Sequence, residues 1–200
     1  MCIRDRLRKD LSNSETEKLA KLMLEDVLSE VSKSKLADRK FLLTNDSSAM
    51  SLGIKYGIEI IEEKIQVDES TSVDNACNYL KTIGASAVLR LPGDIPNIEA
   101  KDIDLLINEG KHDGVSIIVP SDSGTGTNAF YKCPPDVISS SFGENSFQKH
   151  IKSFITKDIK FKVMEIENIS LDIDSLEDIS KIKKTSKQSK TTDYLRLSSL

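Results

Sequence analysis

Three nearly continuous apolar runs constrain this chain more than any other feature: Phe41-Leu42-Leu43-Thr44, Ala85–Leu91 and Gly114–Pro120. Each has the length of a strand and does not alternate with polar residues, the pattern of strands covered on both faces by helices. The stretches between them carry helical spacing. Leu19, Leu22, Met23, Val27, Leu28 and Val31 recur at three- and four-residue steps behind the pair Ser14 and Glu17, which reads as a capping box. Val73, Ala76, Cys77 and Leu80 share one side of a helix over Ser72–Thr82, and Ile103–Ile107 is helical. Alternating strands and helices predict an α/β fold, with a mostly parallel sheet and helices on both of its faces.

The remaining segments follow from turn and cap chemistry. Asn45-Asp46-Ser47-Ser48 turns the chain into a helix near Ala49–Tyr56, and a strand follows at Ile58–Ile61. Beyond Pro120 a polar loop, Ser121–Thr127, leads to an extended piece over Asn128–Cys133 that Pro134-Pro135 stops. A helix over Ser146–Ile155, an alternating strand through Ile159, Phe161, Val163 and Ile166, and a helix capped by Ser175 complete the domain. From Lys181 the chain is rich in Lys, Ser and Thr and reads as a frayed, solvated tail. The expected organisation is a start over 1–6 that is foreign to the domain, one domain over 7–180 and a flexible tail over 181–200.

Composition narrows the function. Of 200 residues, 28 are Lys or Arg and 32 are Asp or Glu, a net charge of −4, with no Trp. That balance argues against a nucleic-acid partner and leaves room for a small anionic substrate in a local site. Cys2, Cys77 and Cys133 show no metal-binding spacing and read as reduced thiols of a cytoplasmic protein. No apolar run is long enough for a membrane span.

Ligands of open α/β sheets bind beyond the carboxyl ends of strands, which is where Asp94 falls, after Leu91-Pro92-Gly93. Its carboxylate either holds a divalent cation or merely forms the turn. Asp172 and Asp174, if extended, face the same way about 7 Å apart. They either flank a metal, for which Mg²⁺ is the natural ion, or help cap the next helix. Gly124-Thr125-Gly126-Thr127-Asn128 lacks the third glycine of a dinucleotide fingerprint but could form a nest of amides for an anion. Ser146 opens a helix whose dipole favours an anion, with His150 one turn on; the alternative is a capped helix with a surface histidine. His112 lies in a turn and is given no role.

Taken in order, Leu91-Pro92-Gly93-Asp94-Ile95-Pro96, Gly124-Thr125-Gly126-Thr127-Asn128-Ala129, Phe142-Gly143 with Ser146-Phe147 and His150, and Leu171-Asp172-Ile173-Asp174 resemble the phospholactate guanylyltransferase family of deazaflavin coenzyme F(420) biosynthesis. The resemblance runs from about Leu7 to Ile179. It implies a nucleotide-diphospho-sugar transferase-like fold and condensation of GTP with a phosphorylated three-carbon acid, releasing pyrophosphate. The acid would be 2-phospho-L-lactate, phosphoenolpyruvate or 3-phospho-D-glycerate. It further implies that Asp94 and the acid pair, Asp172 before Asp174, hold Mg²⁺. Thr127, Gly143 and Ser146 would grip the acid, with His150 beside them. Asp46 and the Ser72–Ala76 segment, with Asp74, would meet the guanosine, and Arg6 the triphosphate. A homodimer is left open.

The chain departs from the family pattern in three places. Asp74 stands where the family carries an amide, and Asn145 where a glycine is common. Arg4-Asp5-Arg6-Leu7 is all that matches a basic loop ending Lys-Ser-Arg-Leu, which in the family follows a first strand. Two other functions remain open at this point: a related nucleotidyltransferase of the molybdenum-cofactor type, and a non-catalytic nucleotide-binding protein lacking its triphosphate loop.

Overall fold

The computed structural model describes Leu7 and residues 9–64 and 67–198. Helix α1 (Asn13–Lys33) starts the order, followed by β1 (Phe41–Thr44), α2 (Ser47–Lys55), β2 (Glu59–Glu62), α3 (Glu69–Thr82) and β3 (Val88–Arg90). Then come α4 (Ala100–Asp113), β4 (Ser116–Pro120), β5 (Thr127–Lys132), α5 (Ser146–Thr156) and β6 (Phe161–Val163). Helices α6 (Glu167–Ser170), α7 (Leu176–Lys183) and α8 (Lys190–Leu197) end it. The α/β class holds.

The strands form two sheets. β1 pairs in parallel with β2, and a second sheet has the order β3-β5-β4-β6. In the second sheet β3, β4 and β6 share one direction, because β3 and β4 both run antiparallel to β5 and β6 runs parallel to β4. The segment Asn128–Cys133, taken from sequence only as extended, is thus the one reversed strand of this sheet. A short hairpin from β4 permits that reversal, whereas a parallel return needs a crossover.

Alternation along β4 and β5 builds a core on each face. Ile117, Val119, Ala129 and Tyr131 pack with Val27, Ile103, Leu106 and Ile107 from α1 and α4. Ile118 and Phe130 point the other way, to Phe154 and Phe147 of α5. Helix α4 lies close on the first face because Gly110 faces the Tyr131 ring, where a Cβ would overlap the ring atoms.

A bulge interrupts the β4–β5 ladder between Val119 and Pro120: Val119 opposes Ala129 but Pro120 opposes Thr127. The extra residue, Asn128, shifts the alternation by one. Thr127 therefore joins the face of Phe130, while Asn128 turns to the opposite side.

Two expectations are corrected. Helix α1 is capped by Ser12 with Glu15, two residues before the Ser14–Glu17 pair; the Ser12 amide donates to Glu15 Oε2 at 2.9 Å. The earlier start buries Thr16 beneath the helix. The chain beyond Lys181 is likewise ordered. Asp26 of α1 accepts the N–H groups of Lys190 at 3.0 Å and Thr191 at 2.8 Å, supplying partners for the open end of α8. Leu195 is fully buried among Leu19, Met23, Ile179 and Ile182. The Lys- and Ser-rich composition hid one buried leucine and a cap lying 165 residues upstream. Leu195→Ala is expected to cost about 2–5 kcal/mol in urea unfolding; a solvated tail would give no change.

Candidate active site

One large cavity, of about 2060 Å³, opens between the two sheets. β1 and β3 both line it, although neither pairs with the other. Its lining includes apolar Val27, Leu28, Leu42 and Leu89. It also includes Asp46, Ser72, Arg90, Asp94, Thr127, Gly143, Ser146, Asp172 and Asp174. Eight of the eleven residues singled out from sequence thus line one space. His150 and Asp74 do not line it, and Arg6 lies outside the described residues.

Asp94 follows β3, and its backbone carbonyl accepts the N–H of Ile173 at 3.1 Å, which binds the two acidic segments together. Its Oδ1 is buried and finds no partner among the described residues. Burial first, then the charge of Asp172, raises its pKa to about 7, against the opposing pull of Arg90. Asp172 is oriented by Asn128, whose Nδ2 lies 3.1 Å from Asp172 Oδ1 and also reaches the carbonyls of Ile169 and Ser170 at 3.0 and 2.8 Å. The bulge at Asn128 is what aims this amide across the sheet to the acidic segment.

The sequence marks Asp94, Asp172 and Asp174 as a metal set. Among the described residues no three His, Cys, Asp or Glu side chains converge to hold a metal ion. Residues 171–174 form no strand, so the strand geometry that aligned Asp172 with Asp174 does not apply. The Asp174 amide donates to Asp178 at 3.2 Å, joining the cap of α7. What fits a divalent cation is the orphaned oxygen of Asp94 beside Asp172. Two carboxylates completed by substrate phosphate oxygens suit Mg²⁺.

The nest expected over Gly124–Asn128 is also corrected. Gly126 donates to Ser121 Oγ at 2.8 Å, Gly124 to the Ser121 carbonyl at 2.8 Å and Asp122 to the Ser170 carbonyl at 2.7 Å. The hairpin consumes its own amides, because small residues let the turn fold back on itself. Ser123, Thr125, Gly126 and Thr127 of this hairpin all line the cavity. Opposite it, Gly143 has φ 92° and Asn145 φ 54°, both left-handed. Asn tolerates that region better than most residues, which accounts for its standing in place of a glycine. Ser146 is buried at the start of α5, and its hydroxyl has no hydrogen-bond partner among the described residues.

Of the residues expected at the guanosine, Asp46 caps α2 by accepting from Ala49 at 2.9 Å, and the Ser72 hydroxyl is engaged by Glu63 and the Asp68 carbonyl. Asp74, expected at the guanosine, does not line the cavity. It pairs with Lys132 at 2.9 Å and accepts the Ser140 amide and hydroxyl at 3.0 and 2.7 Å. An amide there would leave Lys132, 1% exposed, without a counter-charge.

Arg90 and Lys132 carried no role in the sequence reading. Arg90 stacks on Phe142 at 4.2 Å, pairs with Glu69 and donates to the Thr127 carbonyl at 3.3 Å, placing a positive charge at the cavity. The available signal was a cation inside each apolar strand.

The chain matches the family model described as "Guanylyl transferase CofC like" over residues 2–200. It is 28% identical over 179 residues to the phosphoenolpyruvate guanylyltransferase of Conexibacter woesei, covering 89% of this chain and 80% of that protein. It is 29% identical over 191 residues to the 2-phospho-L-lactate guanylyltransferase of Methanothermobacter thermautotrophicus, covering 96% and 83%. In fold it is similar to a structure from Desulfovibrio desulfuricans G20 assigned to the nucleotide-diphospho-sugar transferases, with TM-score 0.76, 14% identity and 96% and 87% of the two chains covered. A cytidylyltransferase of Leptospira borgpetersenii shares the fold at TM-score 0.60 and 18% identity, over 87% and 81%. No helix among the described residues is long and apolar enough to cross a membrane.

Two stability tests follow from these contacts. Asp94 binds a proton in the folded state up to about pH 7 but in the unfolded chain only to about pH 4, so metal-free stability falls as pH rises between them. Asp94→Asn is therefore expected to raise the metal-free Tm at pH 8 more than at pH 5, and to abolish any Mg²⁺-induced rise; equal shifts at both pH values would contradict the burial of this charge. Asp74→Ala should cost about 3–5 kcal/mol in chemical denaturation, because it strands the Lys132 charge. Lys132→Met should cost less, since Asp74 keeps its Ser140 bonds and some solvent. The reverse order would remove the pair from the account. With its acids and its hydroxyl donors on one cavity, and the family model matched over residues 2–200, the chain belongs to the CofC-like guanylyltransferase family.

Proposed function

We propose that this protein joins GTP to a phosphorylated three-carbon acid, releasing pyrophosphate, as a cytoplasmic enzyme of deazaflavin coenzyme F(420) biosynthesis. The observation that carries the reading is that the coupled acids Asp94 and Asp172 share one cavity with Thr127, Gly143 and Ser146. The first set suits a cation with phosphates, and the second suits an anionic acid.

The attacking group is a phosphate oxygen of the acid, already anionic near neutral pH, so the site needs no strong general base. Its work is alignment of that oxygen with the α-phosphorus of GTP and neutralisation of charge. Asp94 and Asp172 would hold Mg²⁺, which supplies charge neutralisation for the phosphates. The Thr127 and Ser146 hydroxyls hold the acid, and Arg90 adds a fixed positive charge beside it. The left-handed backbone at Gly143 and Asn145 brings the loop against the acid without a bulky side chain at Gly143. Asp46 and Ser72 border the guanosine end of the cavity.

The test is pyrophosphate release with GTP and Mg²⁺, offered 2-phospho-L-lactate, phosphoenolpyruvate and 3-phospho-D-glycerate in turn, with CTP as the control nucleotide. GTP-dependent release with one acid is expected, and Asp94→Asn should lower it at least about 100-fold. Silence with all three acids, or a preference for CTP, would overturn the reading.

A further inference from the structure

His150 is fully buried and does not border the cavity, yet both of its ring nitrogens are engaged. Nε2 lies 2.8 Å from the Ser141 amide nitrogen, and Nδ1 lies 3.0 Å from Thr127 Oγ1. A backbone N–H can only donate, so Nε2 is the acceptor. In a neutral imidazole the proton then sits on Nδ1. Nδ1–H donates to Thr127 Oγ1, which leaves the threonine hydroxyl hydrogen to point elsewhere. Among the described residues it meets no acceptor, and Thr127 lines the cavity.

We propose that His150 is a positioning residue that makes the Thr127 hydroxyl a one-way hydrogen-bond donor to the carboxylate or phosphate of the acid substrate. The inference rests on the guanylyltransferase reading and adds a specificity device to the acid side of that site. The surroundings hold the ring in the required state. Phe130 and Phe142 pack on it with centroids 5.1 and 5.3 Å away, and burial together with the charges of Lys132 and Arg90 lowers its pKa to about 4. A neutral ring is thus present throughout the physiological range.

The same ring fixes the loop that carries Gly143. Three successive amides are held by side chains: Ser140 by Asp74 at 3.0 Å, Ser141 by His150, and Phe142 by Ser70 Oγ at 2.8 Å. His150 is the one holder that also contacts a cavity-lining hydroxyl. Thr127 and the Gly143 loop, 16 residues apart in sequence, are therefore set by one imidazole.

The experiment joins a spectrum to steady-state kinetics. Nitrogen-15 NMR of the histidine rings in the wild-type chain at pH 7 should show His150 neutral with its proton on Nδ1. His150→Phe keeps an aromatic ring in the packing but removes both contacts. It should raise KM for the acid by about 10-fold or more while KM for GTP stays unchanged. Thr127→Val should raise the acid KM alike, and the double variant should add little to either single change. His150→Asn, whose amide can donate where Nδ1 did, should recover part of the loss. A proton on Nε2, a charged ring, or an unchanged acid KM in His150→Phe would overturn the proposal. Equal effects on both substrates would also overturn it, by assigning His150 to general stability. A wild type silent with every acid would instead sink the guanylyltransferase reading itself.

Discussion

A single extra residue in strand β5 sets the geometry on which the site depends. In a regular ladder Thr127 would share a face with Ala129 and Tyr131, beneath α4, and could not reach α5. The bulge at Asn128 reverses that assignment. Thr127 turns to His150 and the Gly143 loop, while Asn128 turns to Asp172 and the carbonyls of Ile169 and Ser170. Two neighbouring residues thereby reach opposite faces of one sheet, each gripping a segment that meets the cavity. Bulges at the end of a strand commonly re-aim side chains in this way.

Around this point the charges are arranged with different degrees of completion. Lys132 is buried but fully answered by Asp74 and Ser140, so that pair braces the loop before α5. Asp94 is buried and not answered, and its raised pKa records the cost. The Mg²⁺ we propose would answer the one carboxylate that the interior leaves open. Thr127 and Ser146, whose hydroxyls we propose as donors to the acid, are a neutral counterpart that lines the same cavity.

The readability of the sequence divides along physical lines. Buried strands and amphipathic helices were legible because burial imposes a local pattern, and β1, β4 and α5 appear where Phe41, Ile117 and Ser146 put them. The positions of Asp94, Thr127 and Ser146 were legible from their place after strands or at a helix start. What escaped depends on partners distant in sequence. The order in the C-terminal segment comes from Asp26, and the role of Asp74 comes from Lys132 and Ser140. The hairpin after Pro120 looked like an anion nest because glycines and threonines suit one, but its hydroxyls and carbonyls compete for the same amides. His150 read as a surface histidine or a ligand; its full burial depends on Phe130 and Phe142, which reach it from a strand and from a loop.

The central claim is that the acid substrate docks between the Thr127–Ser146 side and the Asp94–Asp172 side of one cavity. Amide chemical-shift mapping during titration with phosphoenolpyruvate and Mg²⁺ tests it most directly. The account predicts the largest shifts at Thr127, Gly143 and Ser146, with smaller ones at Asp94 and Asp172 and none on α8. Shifts centred elsewhere, or confined to the Asp46 and Ser72 end of the cavity, would contradict it.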